Sequence, residues 1–340
     1  MAFEETKGLI QQLVQQKIVP GVSSALINGA HTYISYLGDQ QWLPEVKKLQ
    51  PNYLYDLASL TKVMTTTPMI LKLIQAQQLS LTTPIQRFLP GFQDERVQIW
   101  HLLTHTSGIE GYIPHRNELP PAELKQALLH LGVGPGFERR VKYTDIGLIF
   151  LGYIIEAIYH EPVQKTLTRE ILAPLNLNNT TFAPDPRLAI PTTYDDQKGL
   201  LQGIVHDPKA RILGSHCASA GLFSNLADVV QFTQWILGQY QPETAPLDQG
   251  TIQSLFHNYS QLPDQPRSLG WDIQLSAQDQ HVLLYHTGYT GTFLIIDRHN
   301  QNALVVLTNR VHPQADNQAF LAQRDRIVQA FCQESRRFTS

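Results

Sequence analysis

The sequence predicts an α+β fold. An antiparallel sheet is built from both ends of the chain, flanked by helices, and a mainly helical segment is inserted between them. Three observations predict it. Strand-like runs near the N-terminus are matched by four more near the C-terminus. The stretch between them is dominated by apolar residues at helical spacing. The late strands are joined by turns such as Arg298-His299-Asn300, too short for the crossover that parallel neighbours need.

Each element has its own signal. Leu9, Ile10, Leu13 and Val14 form one apolar face of a helix over about 4–17, with Glu4 and Glu5 in its first turn. Two strands, 22–29 and 31–38, follow around a turn at Asn28-Gly29, a dipeptide suited to tight hairpins. A long helical run from about Ser59 to Gln78 comes next, closed by LSLTTPIQRFLP. Positions 95–205 alternate helical stretches (HLLTH, PAELKQALLHLG, GLIFLGYIIEAIY, VQKTLTREILAPL) with loops rich in Pro, Gly and Asn. A helix near 225–238 precedes the strand-like runs LGWDIQL, HVLLYH, TFLIIDR and ALVVLTN, and a helix over about 315–335 ends the chain. The expected division is a sheet domain of 1–60 with 210–340 and a mainly helical domain of 61–209.

Composition excludes several classes of function. The chain has 340 residues, 42% hydrophobic and only 16% charged, which is not the composition of a disordered chain. The net charge is −3 with no basic block, so no nucleic-acid partner is expected. Two cysteines, Cys217 and Cys332, cannot make a disulfide framework or a four-thiolate zinc site. No run of 18 apolar residues marks a transmembrane helix. Glu4 and Glu5 precede an interrupted apolar run, unlike a secretory leader, so a cytoplasmic location is expected as the sequence stands. An extracytoplasmic one is expected if a leader has been removed.

The chemistry starts at Ser59-Leu60-Thr61-Lys62. A serine in the first turn of a helix lies beside free backbone N–H groups and the positive end of the dipole. Lys62, three residues on, shares its face and can assist the hydroxyl as a nucleophile. S-x-x-K alone recurs by chance, and a capping serine with a surface lysine gives the same pattern. The setting is more specific. Asp56 precedes it and the apolar VMTTTPMILKLI follows, so Lys62 begins a core helix and needs partners or a shifted pKa.

The stretch YDLASLTKVMTT resembles the nucleophile segment of the serine β-lactamase and penicillin-binding protein superfamily, class C type most of all. Tyr143-Thr144-Asp145 resembles that family's Tyr-x-Asn element, and His286-Thr287-Gly288 its Lys-Thr-Gly or His-Thr-Gly element. Tyr143 follows Ser59 by 84 residues and His286 follows Tyr143 by 143, both normal for class C relatives. HLLTHTSGI at 101–109 and SAGLFSNLADVVQF at 219–232 are similar to further landmarks, so the resemblance runs from about 10 to 335.

The resemblance implies a β-lactamase/transpeptidase-like fold with a catalytic groove between the sheet and helical domains. It implies a serine hydrolase that works through an acyl-Ser59 intermediate on a small-molecule or peptide substrate, with no metal and no cofactor. Lys62 and Tyr143 would share the proton work. The oxyanion hole would be the backbone N–H groups of Ser59 and Tyr289. His286 and Thr287 would orient a substrate carboxylate or leaving group, and Gly288 would let a substrate backbone approach the strand. Tyr112, just after the TSG landmark, is a candidate pocket wall, against the bland reading of a surface residue.

Two departures bear on substrate. Asp145 stands where class C enzymes usually carry Asn, and a carboxylate cannot donate to a substrate carbonyl. It would instead stabilise a charged Lys62 and move proton work to Tyr143. His286 replaces a lysine, and a histidine is only partly charged at neutral pH. In this superfamily His-Thr-Gly resembles esterases, D-Ala-D-Ala peptidases and D-amino-acid peptidases more than dedicated β-lactamases. The expected activity is therefore esterase or D-amino-acid-type peptidase. A β-lactamase or penicillin-binding carboxypeptidase is the first alternative, and a catalytically silent binding protein on the same fold the second.

Other conspicuous residues have plainer readings. His101 and His105 have metal-ligand spacing but no acid completes the pattern, so structural hydrogen bonds at a helix end are expected. His206-Asp207 reads as structural, and Cys217 as a buried inert thiol. No G-x-S-x-G elbow occurs, and the glycines at 131–137 read as a loop leading to Tyr143 rather than a dinucleotide loop.

Overall fold

The computed structural model describes residues 3–315 and 317–336. One seven-stranded antiparallel sheet is made of β1 (Gly21–Asn28), β2 (His31–Gln41), β3 (Lys47–Lys48), β4 (Asp272–Leu275), β5 (Val282–Thr287), β6 (Phe293–Asp297) and β7 (Asn302–Thr308). Its order is β4-β5-β6-β7-β1-β2-β3, so the C-terminal meander is extended by the N-terminal hairpin. The join is β1 on β7, in register from Val22↔Thr308 to Asn28↔Asn302. Gly29, with φ +57°, follows Asn28 and turns the chain into β2.

The sheet is covered on both sides, which is why β6 and β7 are buried along their whole length and read as continuous apolar runs. On one face Val22, Leu26, Ile295, Leu304 and Val306 pack on helices α1 (Glu4–Gln15) and α5 (Gln318–Glu334), through Leu13, Phe320 and Phe331. On the other, Ala25, Ile27, Leu294, Val305 and Leu307 join the main core with α2 (Thr67–Gln75), α3 (Ile146–Tyr159) and α4 (Leu226–Leu237). Asn225 caps α4 by accepting from the Asp228 N–H, and Gly238 at φ +84° ends it.

Three boundaries differ from the expectation, each for a local reason. The expected strand at 269–275 starts only at Asp272, because Gly270 turns at φ +79° against Thr67, where a Cβ would collide. The expected helix from Ser59 is regular only from Thr67. Lys62–Thr66 form a wider π-type turn, and Ser59 sits in the turn before it. The helix expected over about 315–335 is Gln318–Glu334, begun by Asn317 accepting from the Phe320 N–H. No single helix among the described residues is long and apolar enough to cross a membrane.

Candidate active site

The nucleophile segment is held at both of its edges. Tyr55–Asp56 pairs with Phe223–Ser224, and the Leu57 N–H donates to the Leu222 carbonyl at 2.9 Å. The buried Asp56 carboxylate accepts from the backbone N–H of Ala58 (2.9 Å) and of His206 (2.6 Å). Burial nevertheless pushes its pKa up to about 6. Ala58 takes φ +46°, a left-handed turn that delivers Ser59 to the start of the helix. The role of Asp56 is thus to shape the loop before the serine.

Lys62 is fully buried, and its ammonium meets Ser59 Oγ at 2.7 Å, the Ser219 carbonyl at 2.8 Å and Asp145 Oδ1 at 2.8 Å, with the Tyr143 side chain as a further hydrogen-bonding neighbour. Every N–H donor of a charged lysine therefore has an acceptor in reach. Burial favours the neutral amine, but the Asp145 carboxylate overrides it and holds Lys62 above the usual lysine range. Asp145 has a second cation, Lys209, 3.0 Å from Oδ2, and Lys209 in turn lies 2.9 Å from Asp207 Oδ2. Burial works against the Asp145 charge, and the two lysines reverse it, so its carboxyl lies well below the ordinary range. A chain of alternating charge, Lys62–Asp145–Lys209–Asp207, therefore runs from the nucleophile to the start of the helix Pro208–Leu213. Asp207 caps that helix through the Ala210 N–H.

Tyr143 stands beside this chain and is 47% exposed. Its ring lies 4.6 Å from the His105 ring, 5.4 Å from the Lys62 ammonium, 5.9 Å from the Arg267 guanidinium and 6.0 Å from the His286 ring. Two histidines secure the loop that carries it. His101 accepts from the Gln98 N–H with Nδ1 and binds Glu138 with Nε2 at 2.7 Å. His105 closes its helix in the left-handed region at φ 58°, and its carbonyl accepts from the Lys142 N–H. His101 thus makes the structural hydrogen bonds expected of it, whereas the His105 ring accepts only a long bond from the Thr144 N–H (3.4 Å) and its buried Nε2 has no partner among the described residues.

The third segment corrects one expectation and adds a packing role to another residue. His286 is only 3% exposed, with Nδ1 on the Thr287 carbonyl at 3.0 Å. Burial, then the charges of Lys62 and Arg267, push its pKa well below the ordinary value, so the ring is neutral. It is not a cationic receptor for a substrate carboxylate. Gly288, expected to admit a substrate backbone, has a further packing reason: a Cβ there would lie 2.5 Å from the Leu57 carbonyl oxygen and would also strike Thr292 Oγ1. The glycine lets the sheet approach the nucleophile loop, where Thr290 and Thr292 donate to the carbonyls of Asp56 (2.7 Å) and Leu57 (3.1 Å). Gly288→Ala is expected to force these segments apart. Turnover should fall at least ~10-fold and unfolding free energy by about 1–3 kcal/mol, read by steady-state kinetics and urea denaturation.

Thr287 closes β5, and Tyr289 follows at the groove edge, 54% exposed, its ring 5.4 Å from that of His206 and 4.6 Å from the Arg310 guanidinium. Among the described residues neither the Ser59 nor the Tyr289 backbone N–H donates to a protein acceptor. Tyr112 is not brought into the cluster. It is 87% exposed, and a residue walling a closed pocket would be covered. Cys217 is buried 3.4 Å from Ser219 Oγ, and burial raises its thiol pKa, as expected of an inert cysteine.

Three participants had no usable signal in the sequence. Lys209 looks like any surface lysine, Arg267 lies in a polar loop, and the Ser219 carbonyl is main chain. Only the SAGLFS landmark pointed to the last neighbourhood.

A partly exposed serine bonded to a buried lysine beside a tyrosine, at the junction of a sheet and a helical body, is the site of a serine hydrolase. The chain belongs to the beta-lactamase family, whose profile matches residues 6–327. It is similar to a Salmonella paratyphi B protein named "Putative D-alanyl-D-alanine carboxypeptidase". The two are 27% identical over 312 residues, covering 78% of this chain and 71% of that one. Its fold matches a class C beta-lactamase with a TM-score of 0.78 at 18% identity, covering 96% of each chain. It also matches EstCE1, described as a hydrolase with promiscuous acyltransferase activity, with a TM-score of 0.75 at 20% identity, covering 95% of this chain and 97% of that one.

Proposed function

We propose that the protein is an esterase or D-amino-acid-type peptidase that works through an acyl-Ser59 intermediate. The observation that carries this reading is the charge state of the groove. Asp145 replaces an amide donor, and the histidine of His286-Thr287-Gly288 is buried and neutral, so two features that suit an anionic β-lactam are missing. Of the similar proteins, EstCE1, described as a hydrolase with promiscuous acyltransferase activity, agrees with this reading, and the one named "Putative D-alanyl-D-alanine carboxypeptidase" agrees with the first alternative.

The proposed steps follow from the site. The Lys62 ammonium has no lone pair, so it orients Ser59 Oγ but cannot take its proton. The Tyr143 oxygen, beside the charges of Lys62 and Arg267, is the group placed to take the proton while Ser59 Oγ bonds to the substrate carbonyl carbon. The free N–H groups of Ser59 and Tyr289 hold the resulting oxyanion. Collapse breaks the bond to the leaving group, which receives the proton from Tyr143. Water then attacks the ester carbonyl and gives a proton to Tyr143; collapse breaks the bond to Ser59 Oγ, which receives that proton as the carboxylic acid product leaves.

The test has two parts. A fluorophosphonate should add one phosphonyl group to the wild type and none to Ser59→Ala, read by intact-protein mass. No adduct from any acylating probe would instead mean a silent binding protein. Rates on a p-nitrophenyl ester, a D-Ala-D-Ala peptide and a chromogenic cephalosporin separate the substrates. The cephalosporin should be slowest, and turnover fastest on it by orders of magnitude would establish the β-lactamase reading instead.

A further inference from the structure

We propose that Asp279, His281 and His299 form a binding site for a divalent transition cation such as Zn²⁺, remote from the catalytic groove. Among the described residues these three offer one ligand atom each, all within 4.8 Å of one another. They come from two neighbouring turns of the sheet. Asp279 and His281 lie in the turn between β4 and β5, and His299 lies in the turn between β6 and β7. His281 and the catalytic-side His286 are at opposite ends of β5, about 17 Å apart along the strand.

The hydrogen bonds around His281 point to a cation. Asp297 is fully buried, and its Oδ1 faces His281 Nε2 at 2.8 Å and accepts from the Asn300 N–H at 3.0 Å. Its Oδ2 accepts from Asn300 Nδ2 at 2.9 Å and from Ser335 Oγ at 2.6 Å. A carboxylate only accepts, so the contact from His281 Nε2 to Oδ1 places an N–H there. The other ring nitrogen, Nδ1, is turned to Asp279 Oδ1 at 2.5 Å. A metal ion taken up between them would be bound by both. A histidine pinned on one side by a buried carboxylate and turned to a ligand on the other is the arrangement that orients metal-bound imidazoles.

His299 supplies the third group. Its ring centroid is 4.6 Å from that of His281, and its Nε2 lies 4.0 Å from Asp279 Oδ2. A tetrahedral zinc with bonds near 2.0–2.1 Å spaces its ligands by about 3.3 Å. Reaching that spacing requires rotation of only Asp279 and His299, which are 53% and 61% exposed. A cavity of about 480 Å³ beside the two histidines has room for the water that completes the shell. Two imidazoles and one carboxylate select zinc, copper or nickel over magnesium or calcium, which prefer oxygen alone. The ion would tie the two turns together and stabilise the sheet by its binding free energy.

The experiment uses the full chain, stripped with EDTA and titrated with ZnCl₂ by calorimetry, with a thermal melt at each ratio. We expect one saturable site of micromolar affinity and a Zn-dependent rise in Tm. His299→Ala and Asp279→Asn, both surface changes that leave the fold intact, should weaken binding at least 10-fold and abolish the rise. MgCl₂ should do neither. Replacing His130, an exposed histidine elsewhere, should change nothing. Absence of saturable binding below millimolar zinc overturns the proposal, as does binding equally strong in His299→Ala and Asp279→Asn.

Discussion

Lys62→Met is expected to lower kcat at least ~10³-fold while leaving the fold in place. Among the described residues the ammonium alone touches Ser59 Oγ, Asp145 and the Ser219 carbonyl together, at 2.7, 2.8 and 2.8 Å. Without it the serine hydroxyl loses its orienting donor and the site loses a positive charge beside Tyr143, effects of the size that general acid–base groups contribute. Stability should suffer less than the burial of Lys62 suggests. Methionine fills the same space, and Asp145 keeps Lys209 at 3.0 Å. The unsatisfied Ser219 carbonyl remains, so a loss of about 1–3 kcal/mol is expected. Single-turnover acylation and urea unfolding on the same preparation check both halves. A variant that acylates normally would remove Lys62 from the chemistry.

The second prediction concerns charge balance. Asp145 brings a negative charge where the family usually has a neutral amide, and Lys209 offsets it. In Lys209→Met the whole carboxylate charge falls on Lys62, draws the ammonium away from Ser59 and disfavours a negative Tyr143. Ester turnover should drop ~10–100-fold. Adding Asp145→Asn to this variant removes the excess charge and should restore most of the rate, giving an interaction free energy of about 1–3 kcal/mol in a double-mutant cycle. Asp145→Asn by itself creates an amide that can donate to a substrate carbonyl, so it should raise the rate of acylation by a penicillin relative to the ester. An additive cycle would show that Lys209 only caps a surface loop. An unchanged penicillin rate would show that residue 145 does not read the substrate carbonyl.

How much of this could be read beforehand differs by element. The strands β5, β6 and β7 and helices α1, α3 and α4 are visible in the sequence because burial imposes period on them, whichever neighbours they find. Boundaries moved where a tertiary contact intervened, as at Gly270 against Thr67. In the site, Ser59, Lys62 and Tyr143 were legible through local motifs and their order. His286 was legible as a residue but not as a neutral one, because its pKa depends on burial and on Lys62 and Arg267 from other segments.

The sequence by itself determined the antiparallel sheet from both termini, the family of the chain and the candidate nucleophile. These depend on periodicity and on motifs confined to a few neighbouring residues. Only the tertiary structure decided that Lys62 is paired with Asp145, that Lys209 and Arg267 flank the site, that Gly288 lies against Leu57, and that Tyr112 is exposed. The physical reason is the range of the forces involved. Backbone propensity and periodicity act between residues close in the chain, whereas electrostatics and close packing act between whatever the fold brings within a few ångströms.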